Sequence, residues 1–144
     1  MDIGSLRKQH DELESLAREL LAIVGNMHQP RPVAALRWRL ARLLIAHLAV
    51  EDRYLYPALL NQNGEAQQVA GSFKAEMGGL AQEFTAYMTR WTDQNIARDW
   101  IAFSVETRGV LTALIRRIAS ENSRLYPLAP AGWRGGETPV GNAA

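Results

Sequence analysis

Apolar residues recur at steps of three and four along most of this chain, and glycine and proline cut the pattern into four long stretches. That is the period of an amphipathic helix, and no alternating run is long enough to predict a strand. The first helix is predicted over 5–24, with Ser5 as N-cap and Gly25 just past its end. Its inner stripe reads Leu6, His10, Leu13, Ala17, Leu20, Leu21 and Val24. The second is predicted over 32–56, from Pro32 in its first turn to Pro57, which should end or kink it. Its stripe reads Val33, Leu36, Leu40, Leu43, Leu44, His47, Glu51, Tyr54 and Leu55. The third spans 65–91 and turns Val69, Phe73, Met77, Leu80, Phe84, Tyr87, Met88 and Trp91 inward. Gly71, Gly78 and Gly79 weaken it by about 1 kcal/mol each against alanine. The fourth spans 97–126, with Phe103, Val110, Leu111, Leu114, Ile118, Glu121 and Leu125 inside and Pro127 at its end.

Long amphipathic helices joined by short loops bury their stripes best as an all-α, up-down antiparallel four-helix bundle, here occupying 1–127. Residues 128–144 hold two prolines and four glycines without periodicity and read as a flexible tail, in which Trp133 is the one side chain suited to docking.

Composition narrows the function classes. The chain of 144 residues is 47% hydrophobic and carries a net charge of +1, which suits one ordinary globular domain and gives no electrostatic case for nucleic acid. Its fourteen arginines are scattered among acids rather than gathered in a block. With no cysteine, disulfides, thiolate metal sites and cysteine nucleophiles are excluded. The polar start and the short apolar run at 43–50 predict neither a signal peptide nor a membrane span, so a cytoplasmic protein is expected.

The informative residues are the polar ones inside the stripes. At about 100° per residue, His47 and Glu51 both fall near the centre of the second helix's inner face, one turn apart. His10 lies within about 40° of the centre of the first helix's apolar face, and Glu121 does so on the fourth. Buried imidazole and carboxylate groups are costly unless paired, and iron, zinc or manganese is one partner that suits both. The bland alternatives are a hydrogen-bonded core histidine for His10 and a buried ion pair for His47 with Glu51. Tyr87, Met77 and Met88 read as core filling, Trp38, Trp91 and Trp100 as packing residues, and His28 as a loop residue without a role.

The segment His47-Leu48-Ala49-Val50-Glu51-Asp52-Arg53-Tyr54-Leu55-Tyr56-Pro57 resembles the hemerythrin-like, or HHE cation-binding, family, whose signature is H-x-x-x-E followed by L-Y-P. The second ending, Glu121-Asn122-Ser123-Arg124-Leu125-Tyr126-Pro127, aligns with it without a gap, and Gln9-His10-Asp11-Glu12-Leu13 resembles the family's first-helix histidine motif. The resemblance implies a di-iron site, usually of five histidines and two bridging carboxylates. Carried over, His10 and His47 would serve one iron, and Glu51 and Glu121 would bridge. The other iron's histidines fall at Phe73, Met77 and Arg117, so every departure strikes the same metal.

Phenyl cannot ligate, thioether suits ferric iron poorly, and guanidinium offers no lone pair. Arg117 is expected to replace the missing cation's charge by bonding Glu51 or Glu121, although it lies about 60–80° from the centre of its stripe. Three functions compete. One is a sensor holding a single iron, zinc or manganese ion for oxygen, nitric oxide, redox or iron responses. Another is a metal-free regulatory bundle acting through a protein partner or as a homodimer. The third, an enzyme, has no readable substrate pocket. Oxygen carriage as peroxide is disfavoured, because in the family it uses two irons.

Overall fold

The computed structural model describes residues 1–135 and consists of helices arranged as an antiparallel bundle. α1 (Ile3–Val24) lies against α2 (Ala34–Val50) and α7 (Trp100–Ser120), and α5 (Leu80–Arg90) closes the ring against the same two. Short α3 (Tyr56–Leu60), α4 (Glu65–Met77) and α6 (Asp93–Arg98) complete it. No strand occurs among the described residues, and no helix is long and apolar enough to cross a membrane.

Local chemistry moves several boundaries from where the periodicity put them. The N-cap of α1 is Asp2, not Ser5: the Asp2 carboxylate accepts from the Ser5 backbone N–H at 2.8 Å and from its hydroxyl at 2.9 Å. The second helix does not stop at Pro57. It widens into a π turn at Glu51–Leu55 and continues as α3. The wider turn lets the Tyr56 N–H bond to the Glu51 carbonyl and relieves the clash a proline makes with the turn before it. The same device recurs at Glu121–Leu125, ahead of a 3₁₀ turn at Tyr126–Leu128.

The predicted third helix is two helices, because consecutive glycines at 78 and 79 break it. A Cβ at Gly78 would stand 2.4 Å from the Lys74 carbonyl oxygen, so the break needs glycine there. The predicted start of the fourth helix is instead the separate α6, with Asp99 capping α7 through the Ala102 N–H. Trp38, expected as a packing residue, is 55% exposed and lines a surface cavity between α2 and α5 beside Ile45, Thr85 and Met88.

The buried side chains form two apolar clusters. The larger runs along the bundle from Val24 and Val33 to Leu13, Leu48 and Leu114. The smaller, at the end carrying both Leu-Tyr-Pro sequences, contains Leu6, Leu55, Leu59, Phe73 and Leu125. The segment expected as a tail returns towards the chain start: Trp133 packs on the smaller cluster, Arg134 pairs with Asp2, and the Gly135 N–H donates to the Met1 carbonyl at 2.8 Å. The rest of that segment, 136–144, lies outside the described residues.

Candidate metal centre

Between the two apolar clusters lies one polar layer. His10, His47, Glu51, Arg117 and Glu121 are each at most 2% exposed. α1 contributes His10 two turns from its cap, α2 contributes His47, and each π turn begins on a glutamate. One ligand atom from each of His10, His47, Glu51 and Glu121 lies within 4.8 Å of the others. The four residues singled out in the sequence therefore meet at one point.

The imidazoles are held from behind. His10 Nδ1 stands 2.7 Å from the Asn122 side-chain oxygen, and His47 Nδ1 2.6 Å from the Gln9 side-chain oxygen. An amide oxygen only accepts, so each Nδ1 carries the proton and each Nε2 faces the carboxylates with its lone pair. His10 Nε2 is 3.2 Å from Glu121 Oε1, and His47 Nε2 is 3.3 Å from Glu51 Oε1. His47 Nε2 and Glu121 Oε1 are buried and have no hydrogen-bond partner. Two orphaned acceptors at ligand positions, backed by amides that fix the ring orientation, fit a cation of the imidazole- and carboxylate-binding class.

Arg117 points inward despite its lateral place on the stripe. Its Nε donates to Glu121 Oε2 at 3.1 Å and its Nη2 to Glu51 Oε1 at 3.2 Å. Its Nη1 donates to the Met77 carbonyl at 3.0 Å. That carbonyl is free because the glycine break ends α4 there. Met77 thus contributes a backbone oxygen rather than its thioether. Phe73 is 2% exposed in the smaller apolar cluster, under the Arg124 guanidinium at 5.2 Å. A cavity of about 270 Å³, lined in part by Asp52, Tyr56, Lys74 and Gly78, opens onto the Arg117 side of the layer.

The tyrosines of the two Leu-Tyr-Pro sequences complete the layer, crosswise. Tyr56 donates to Glu121 Oε2 at 2.8 Å and Tyr126 to Glu51 Oε2 at 2.7 Å. Tyr126 also stacks on His10, with its hydroxyl 2.9 Å from Nε2. Sequence reasoning quoted Tyr56, Tyr126 and Gln9 as parts of motifs but gave them and Asn122 no role. The signal was their spacing: Gln9 and Asn122 each adjoin a site residue, and each tyrosine stands five residues after a glutamate.

Burial sets the electrostatics. It pushes Glu51 upward, yet its polar neighbours, the Arg117 guanidinium among them, outweigh it and hold the carboxyl down at about 2. Burial and the charge on Glu51 raise Glu121. Burial opposes the charged form of His10, but the Glu121 carboxylate and the Asn122 side-chain oxygen beside it prevail and raise it. Burial also opposes the charge on Arg117, and the two glutamates overcome that. Burial and the neighbouring carboxylates raise Tyr56 and Tyr126, which keeps both hydroxyls as donors. Two carboxylates against one guanidinium leave the layer one negative charge from neutrality. Either a proton between His10 and Glu121 or a bound cation can compensate it.

The model of the hemerythrin HHE cation-binding domain matches residues 1–129. Neither the curated proteins nor the solved structures include a significant match. A match over nearly the whole described chain, on a helical bundle whose buried histidines and glutamates converge, leads to one conclusion: the chain belongs to the hemerythrin HHE cation-binding family.

Proposed function

We propose that this chain is a single-cation hemerythrin-like domain that works as a sensor or regulatory module, and not as an enzyme or an oxygen carrier. His10, His47, Glu51 and Glu121 would hold one iron, zinc or manganese ion, and Arg117 supplies the positive charge that a second ion would bring. The observation that carries the reading is the pair of backed imidazoles: both Nδ1 atoms are tied to amide oxygens, and a buried Nε2 and a buried carboxylate oxygen stay unpartnered between them. An iron ion there would supply a redox-active centre with coordination positions left for a small ligand. The protein's part is to exclude bulk water, orient the imidazoles and hold Glu51 ionised. The signal would pass to a protein partner or a second copy, in the cytoplasm.

Elemental analysis of protein purified without chelator, paired with an ultraviolet-visible spectrum, tests this. About one equivalent of metal without oxo-bridged di-iron absorption is expected. Two equivalents, or far less than one, would sink the single-cation reading.

A second reading rests on a different observation. Three of the four carboxylate oxygens already accept from Tyr56, Tyr126 or Arg117. In a metal-free bundle this network would be structural, and function would lie wholly on the surface. Chelator-treated protein that melts at the same temperature as metal-loaded protein favours this second reading.

A further inference from the structure

Each π turn begins on a glutamate, and the residue after that glutamate meets another member of the layer. After Glu121 comes Asn122, which backs His10 at 2.7 Å. After Glu51 comes Asp52, whose Oδ1 stands 3.7 Å from Arg117 Nη2. That ion pair is too long for a hydrogen bond, while the same Nη2 donates to Glu51 Oε1 at 3.2 Å. One guanidinium nitrogen thus lies between two consecutive carboxylates and is bonded to the buried one. Asp52, the other, is half-exposed.

The two glutamates are not equivalent towards Arg117. Glu121 leaves Oε1 without a partner and gives Oε2 to Arg117 and Tyr56. It can ligate through Oε1 and keep both bonds. Glu51 has no spare oxygen: Tyr126 donates to Oε2 and Arg117 to Oε1. Oε1 is also the oxygen 3.3 Å from the unpartnered His47 Nε2. A cation and a guanidinium sharing that one oxygen would repel each other at close range. The bond from Nη2 to Glu51 is therefore the one that conflicts with cation binding. The cavity of about 270 Å³, which Arg117 and Asp52 both line, leaves the guanidinium room to turn away.

We infer that Asp52 is the acceptor to which Arg117 passes Nη2 when the four ligands take a cation, and that it sets cation affinity without being a ligand. Arg117 keeps its 3.0 Å bond to the Met77 carbonyl as a pivot and moves Nη2 from Glu51 to Asp52. Glu51 Oε1 is released for the ion, and the guanidinium retains a carboxylate partner. Loading thereby changes the partner of a half-exposed side chain, which carries the state of the buried layer to the surface. The inference rests on the single-cation reading and deepens it.

Zinc is the probe, used on the full chain. Competition against a fluorescent zinc indicator, run on Asp52→Asn, Arg117→Met and the double variant, reads the coupling between the two side chains. Asp52→Asn should weaken zinc binding about tenfold in the wild-type background and less than about twofold beside Arg117→Met. Equal effects in the two backgrounds overturn the inference, because Asp52 would then act on the ion by charge alone or not at all. A zinc-loaded crystal structure should show Arg117 Nη2 within about 3.2 Å of Asp52 and out of hydrogen-bonding reach of Glu51 Oε1. Nη2 still bonded to Glu51 overturns the inference as well. If Arg117→Met fails to fold, this wild-type structure decides. Zinc bound with Arg117 unmoved ends this inference alone, whereas no zinc bound by the wild type ends the single-cation reading and this inference with it.

Discussion

Replacing Arg117 by methionine separates its two roles, neutralising the carboxylates and repelling a cation. In chelated protein the change removes hydrogen bonds of 3.1 and 3.2 Å to Glu121 and Glu51 and of 3.0 Å to the Met77 carbonyl. Both glutamates are 0% exposed, so water cannot take over. Removing one partner from a buried ion cluster costs about 3–5 kcal/mol. For a domain of this size that is a fall in melting temperature of roughly 10–15 °C.

The effect on cation binding runs the other way. A unit positive charge bonded to both candidate bridging carboxylates opposes a divalent ion there by roughly 5 kcal/mol at about 6 Å and an effective dielectric of about 20, an upper bound because the carboxylates it bonds reorient when it is removed. Arg117→Met should therefore bind one zinc or manganese ion about 10- to 100-fold more tightly, and adding that ion should recover much of the lost melting temperature. Circular-dichroism melts with and without chelator, and competition against a fluorescent zinc indicator, read the two effects separately. A fall of less than about 3 °C in chelator would show that the guanidinium is not structural. Weaker zinc binding in the variant would show that it does not substitute for a cation at all.

Two further outcomes test the surroundings of the site. Gln9→Leu and Asn122→Leu each remove the acceptor behind one imidazole, and each should weaken zinc binding about 10- to 100-fold in the same competition assay; unchanged affinity would mean the rings need no backing. Acid stability follows from Glu51, whose carboxyl is held at about 2 against an ordinary 4.5. A lowered carboxyl contributes stability above 4.5 that disappears as the pH falls towards 2, at most about 3 kcal/mol, with the raised Glu121 acting against it. In chelator, the urea midpoint of the wild type should drop more steeply between about pH 5 and 2 than that of Glu51→Gln. Parallel curves would refute the assignment.

What the sequence made legible was whatever broke an apolar stripe. His10, His47, Glu51 and Glu121 stood where leucine was expected, so periodicity alone brought them to the axis. Arg37, 2% exposed, escaped notice because arginine is rarely buried, and that prior overrode its spacing. Val33, Arg37, Leu40, Leu44, His47 and Glu51 in fact form one uninterrupted run of three- and four-residue steps. Trp38 failed in the opposite sense: its size suggested packing, yet more than half of it is exposed. The π turns were unreadable because a proline after a helical stripe normally means an end. Here the chain absorbs it by widening one turn, which also brings each tyrosine hydroxyl to the glutamate of the opposite helix.

The positions that the resemblance assigns to a second iron differ in backbone as well as in side chains. Phe73 joins an apolar cluster, Met77 ends a helix, and the carbonyl that this end leaves free is bonded to Arg117. If only side chains differed, Phe73→His, Met77→His and Arg117→His together would create a second cation site. The glycine break argues otherwise. A histidine at 77 would occupy the last residue of α4, where the helix no longer fixes its direction, and the carbonyl at that position would lose its donor. The triple variant should thus still bind about one equivalent of iron. Adding Gly78→Ala and Gly79→Ala, which favour a continuous helix by about 1 kcal/mol each, should move the stoichiometry towards two. Two equivalents in the triple variant with both glycines intact would show that the break is incidental, and that side-chain loss alone separates this bundle from a two-metal one.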